Sequence, residues 1–90
     1  MALLLIYEDP LLNEREKTHG DYAMTAKLAQ TMKAWFRDQP GWANLRGPQQ
    51  ESLDLIATKI SRILSGHPDE PDHWVDIAGY AQLIVARLKV

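Results

Sequence analysis

The chain has 90 residues, of which 46% are apolar and 24% charged, enough for one domain with a modest core. Its net charge of −2 argues against a general nucleic-acid binder, which carries a basic stripe or excess. With no cysteine, disulfide scaffolds, zinc ribbons and thiol catalysis are excluded.

The N-terminal arm, residues 1–8, holds the apolar run Ala2-Leu3-Leu4-Leu5-Ile6. No basic stretch precedes it and no small-residue cleavage pattern follows. It is also far too short to span a bilayer, so no membrane association is expected and the cytoplasm is the expected compartment. Asp9-Pro10 then signals a helix start, because Asp can cap and Pro fits the first helical position. A short helix over 11–17 ends at His19-Gly20-Asp21, where Gly20 permits a turn and Asp21 can cap the next helix.

The second helix is expected from Tyr22 to Arg37, with Ala26, Ala29, Met32, Trp35 and Phe36 recurring at helical spacing. Gln39-Pro40-Gly41 stops it, and the next loop carries an apolar plug, Trp42 with Leu45. Gly47-Pro48 opens a third helix with the stripe Leu53, Ile56, Ala57, Ile60, Ile63 and Leu64. Gly66 is expected as its left-handed C-cap. Pro71 starts a fourth helix, running to about Leu88, with the stripe Trp74, Ile77, Ala81, Ile84, Val85 and Leu88. The fold class is therefore all-α, a compact bundle of about four helices. The apolar arm on so small a bundle suggests a homodimer.

Four polar groupings carry the functional readings. Asp72 and Asp76 are four apart and share a helix face. The helix dipole compensates Asp72 well and Asp76 less well, so a bound divalent cation such as Mg²⁺ competes with the dipole reading. Glu51 and Asp54 form a second acid pair at the start of the third helix, with the same two readings. Antiparallel packing would put the two pairs at opposite ends, so only a steep crossing or a dimer would let all four converge. Lys59 and Arg62 lie nearer Asp72 and Asp76; they read as a phosphate clamp or as ion-pair partners of those acids. His19 lacks an identifiable nucleophile and Asp21 reads as a cap, while His73 reads as a surface or capping group.

Three stretches together resemble an uncharacterised family of short bacteriophage and prophage proteins: Glu14-Arg15-Glu16-Lys17-Thr18-His19-Gly20-Asp21-Tyr22, the helix from Leu53 to Gly66, and Asp72-His73-Trp74-Val75-Asp76-Ile77-Ala78-Gly79-Tyr80. The similarity covers about residues 11–84 and implies a bacterial host cytoplasm as the setting. More distantly, the chain resembles phage nucleotide-modification-associated proteins and the MazG-like all-α NTP pyrophosphatases. Those enzymes hold Mg²⁺ with an E-x-x-E pair on one helix and an E-x-x-D pair on the next. Glu51-Ser52-Leu53-Asp54 is similar to the first pair. In His73-Trp74-Val75-Asp76, Asp76 matches the final Asp while His73 replaces the Glu. The resemblance thus implies an Mg-nucleotide site that lacks one expected ligand, for a domain that hydrolyses nucleotide or, with a degenerate site, binds it without cleavage. The competing expectation is a non-catalytic phage accessory protein that binds a host or phage protein.

Overall fold

The computed structural model describes residues 21–88. Among them are three α-helices, α1 (Tyr22–Asp38), α2 (Gly47–Ser65) and α3 (Pro71–Val85), and a short 3₁₀ turn at Trp42–Asn44. The described residues contain no strand, in keeping with the expected all-α class. The expected helix over 11–17, His19, and the apolar arm from which a homodimer was expected all lie outside the described residues.

Each helix begins where the chain chemistry says it should. The Asp21 carboxylate accepts from the Met24 N–H at 3.4 Å, satisfying an otherwise unpaired donor at the start of α1. Gln39 ends α1 by turning its N–H onto the Phe36 carbonyl and its side-chain amide onto the Trp35 carbonyl. Pro40 then blocks continuation. α2 has Pro48 in its first turn, and Gln49 Oε1 accepts from the Arg46 N–H at 2.8 Å. α3 starts directly on Pro71.

The helices are packed in series. α1 and α3 both pack on α2, and they make no comparable contact with each other. Interhelix bonds fix the two registers. Thr25 and Ser65 meet hydroxyl to hydroxyl at 2.7 Å, and Arg37 reaches Asp54 at the other end of the same pair. Ser52 Oγ donates to the Tyr80 carbonyl at 3.1 Å, and Lys59 reaches Asp76. Both pairs are antiparallel.

On α2, the buried residues at these contacts are small. Ala57 and Ser61 are fully buried, Ala29 and Ser52 nearly so. Small side chains let helix axes approach closely. The buried Ser61 hydroxyl is satisfied within its own helix by the Ala57 carbonyl at 2.8 Å. The large apolar residues of the α2 stripe lie to one side of the seams: Leu64 is 67% exposed and Leu53 38%.

Three expectations are corrected. Gly66 sits at φ −135°, ψ −128°, so α2 does not end on a left-handed cap. The apolar stripe expected for α3 is offset, because Trp74, Val85 and Leu88 are largely exposed. The inward line instead runs through His73, Ile77, Tyr80 and Ile84. Trp74 lies over the preceding loop, its indole N–H donating to the Pro68 carbonyl at 2.8 Å. His73, expected at the surface, is fully buried in the first turn of α3.

Because α2 touches its neighbours through small residues, volume there is costly and volume on the open side is cheap. Ala57→Leu should destabilise by about 1–3 kcal/mol through overpacking, lowering Tm by roughly 4–8 °C per kcal/mol for a domain of this size. Leu64→Ala should change stability by no more than about 0.5 kcal/mol. Thermal melts of the two variants check the contrast, and the reverse order would contradict this packing.

Candidate functional site

α2 carries its polar groups on two sides. Residues 54 and 59 differ by five positions, about 140° around the helix axis. Asp54 therefore faces α1, and Lys59 faces α3.

On the α1 side, Arg37 forms a two-pronged pair with Asp54, at 2.7 and 3.1 Å. The same guanidinium donates to the Lys33 carbonyl and lies 4.8 Å from the Trp42 ring centroid. Trp42 stacks on Phe36 at 5.7 Å between centroids. The hydrogen bond from Arg37 holds the Asp54 carboxyl below its ordinary pKa, with the charges of Arg37 and Lys33 adding to it and partial burial opposing. Asp54 thus locks the aromatic corner where the chain turns from α1 into α2.

On the α3 side, Lys59 Nζ lies 2.8 Å from Asp76 Oδ2. The lysine stem is mostly buried, its side chain 16% exposed, while Asp76 is more open at 41%. The hydrogen bond from Lys59 is the main reason the Asp76 carboxyl is held low; the charges of Lys59, His73 and Arg62 contribute in the same direction. Lys59, Arg62, His73 and Asp76 therefore form one cluster between α2 and α3. Within it, the buried Nε of Arg62 has no hydrogen-bond partner among the described residues.

The remaining acids stand apart. Asp72 is exposed in the first turn of α3, where the helix dipole favours it. Glu51 is exposed near the start of α2, beside Tyr80, Leu83 and Arg87 at the far end of α3. The structure thus brings together Asp76, Lys59 and Arg62, and separates Glu51 and Asp54 from them. Among the described residues, no group of three or more His, Asp or Glu side chains is placed to hold a metal ion. Asp21 serves as the α1 cap.

Two features escaped the sequence reading. One is the Arg37–Asp54 pair, which the antiparallel register of a helical hairpin could have suggested. The other is an open apolar trough, with cavities of about 370 and 320 Å³ that share Leu45 and Leu53 in their walls. Its sequence signal was the density of aromatics around the turn, Trp35, Phe36 and Trp42.

Fold and site together define a small all-helical domain in which a central helix carries ion pairs to both neighbours and leaves an apolar trough open. The chain belongs to the family described as a domain of unknown function, DUF6378, whose model matches residues 6–88. No curated protein and no solved structure matches it. Among the described residues, no helix is long and apolar enough to cross a membrane.

Both paired carboxyls are held below their unfolded values, so the folded state binds fewer protons in acid than the unfolded chain does. Their stabilisation is complete above the unfolded carboxylate pKa of about 4 and is lost as pH falls through the lower folded values. Stability of the native sequence should therefore drop more steeply below about pH 4 than that of the Asp54→Asn/Asp76→Asn double variant. Parallel acid limbs in denaturant titrations would show that the pairs contribute nothing.

Proposed function

We propose that this domain binds a nucleotide by its phosphates at the cluster between α2 and α3, without hydrolysing it. The observation that carries the reading is Arg62. Its guanidinium stands beside Asp76 and Lys59 with a buried Nε that makes no hydrogen bond among the described residues. A guanidinium whose buried Nε is unsatisfied, with Lys59 adding a second positive charge, suits a phosphate group that would draw the side chain toward it. The carboxylate within the cluster is Asp76, and Asp72 lies exposed one turn earlier on the same helix face.

Mg²⁺ would have a limited role in such a site. Mg²⁺ commonly takes one or two carboxylates and completes its shell with water and phosphate oxygens. Asp72 and Asp76, four apart on α3, would supply those carboxylates, and the ion would neutralise phosphate charge. Glu51 and Asp54 are not part of this arrangement. A site of two carboxylates, with His73 where the MazG-like pattern has an acid, favours binding over cleavage. The motif likeness to short phage and prophage proteins, and more distantly to MazG-like pyrophosphatases, supports nucleotide as the phosphate carrier and a bacterial host as the setting.

A second reading, a non-catalytic phage accessory protein that binds a host or phage protein, is favoured by the apolar trough.

Thermal melting with ATP and Mg²⁺ tests the first reading. At a ligand concentration ten times Kd, binding to the folded state should stabilise by about 1.4 kcal/mol, raising Tm by roughly 6–11 °C. Arg62→Gln should abolish the rise, whereas Asp54→Asn, on the far side of α2, should keep it. No rise at millimolar ATP, or an equal rise in the Arg62 variant, would sink the proposal.

A further inference from the structure

The trough at the turn end of the domain extends further than its two apolar cavities. The aromatic cavity is walled by Trp35, Phe36 and Trp42, and through Leu45 and Leu53 it continues into the aliphatic one, walled by Ile56, Ala81 and Ile84. That cavity in turn shares Gln49 and Ile84 with a third of about 240 Å³, where Arg46 and Arg87 stand on the rim. The trough thus crosses the C-terminal end of α1, the start of α2 and the C-terminal end of α3. It is aromatic at one end, aliphatic in the middle and cationic at the other.

Among the described residues no acid pairs with the cationic end, although Glu51 shares a cavity wall with Arg87. Among the described residues the ion pairs are Arg37–Asp54 and Lys59–Asp76, and neither involves Arg46 or Arg87. Among the described residues the Arg87 guanidinium donates to the Leu83 carbonyl one turn back and to no acid, and both arginines are exposed. The apolar wall is equally open, with Trp35 62% exposed.

We infer that this trough docks an amphipathic helix of a partner protein whose apolar face ends in acidic residues. The dimensions fit. Three adjacent helix axes at 8–10 Å spacing span about 20 Å, the length of a helix of roughly 13 residues. Such a helix presents apolar side chains at three- and four-residue intervals to the aromatic and aliphatic cavities. Its acidic end meets Arg46 and Arg87, which fixes the direction in which it lies. If those acids fall at its C-terminus, the helix dipole adds to the attraction. This surface is separate from the phosphate-binding cluster, which lies between α2 and α3 around Lys59 and Asp76, so the two proposals stand or fall independently.

Selection from a displayed random peptide library against the whole chain tests the inference. The enriched peptides should carry apolar residues at helical spacing with Asp or Glu at one end. Leu53→Glu, at a partly exposed wall position, should weaken their binding at least ~10-fold. Arg87→Glu should weaken it by a similar factor, and peptides with Lys in place of the acids should bind the Arg87→Glu protein better than the native one. Melting curves of both variants verify that they fold. Failure to enrich any peptide, enrichment of sequences without the acidic end, or unchanged binding by Leu53→Glu would overturn the inference. So would a dimer in sedimentation that Leu53→Glu dissolves, because the trough would then belong to a second copy of the chain.

Discussion

Ala57 and Ser61 are buried completely, and their lack of bulk is what lets α1 approach α2. On the other seam, Ser52 plays the same part against α3, with its hydroxyl on the Tyr80 carbonyl. A helix that must accept a neighbour on each side has little perimeter left for large side chains in the seams. Leu53 and Leu64 are therefore turned to one side of α2, where they remain exposed. Dispersion contacts at such seams are individually weak, and their sum depends on close fit. The geometry of everything else, including the trough and the polar cluster, follows from this two-sided packing.

The ion pairs follow the same logic. Asp54 and Lys59 leave α2 in different directions, and each is answered by the helix it faces. This divides the acids that share a sequence neighbourhood. Asp54 becomes part of the α1–α2 turn, through Arg37 and its contact with Trp42. Asp76 becomes part of the α2–α3 seam, among Lys59, Arg62 and His73. The two surfaces proposed to bind ligands thus lie at different places along α2, the polar cluster around Lys59 and Asp76 and the trough around Leu45, Leu53 and Ile84. Neither requires the other to be occupied.

Much of the fold was legible in the chain. Asp21, Pro48 and Pro71 mark helix starts by local chemistry alone, and the structure has helices starting at or beside each. Pro40 marks a stop for the same reason. The orientation of α3 was harder to read, because its sequence is apolar on more than one face: Trp74, Val75, Ile77, Ile84 and Val85 admit more than one inward line. In the observed orientation the Ser52 hydroxyl meets the Tyr80 carbonyl and the Lys59 ammonium meets Asp76, with His73 buried and Trp74 exposed. At the candidate site, the nearness of Lys59 and Arg62 to Asp76 was readable from antiparallel order. The partner of Asp54 was not, since a helix-start acid is equally well explained by the dipole until the register of the preceding helix is known.

The central claim is that α2 is the element on which both outer helices depend, and native-state hydrogen exchange tests it most directly. Amides in the middle of α2, around Ala57 to Ser61, should exchange only through global unfolding and be the slowest of the three helices. Those of α1 and α3 should exchange at lower opening free energies, each helix as its own unit. If α1 or α3 amides outlast those of α2, or if all three helices open with one free energy, α2 does not hold that place.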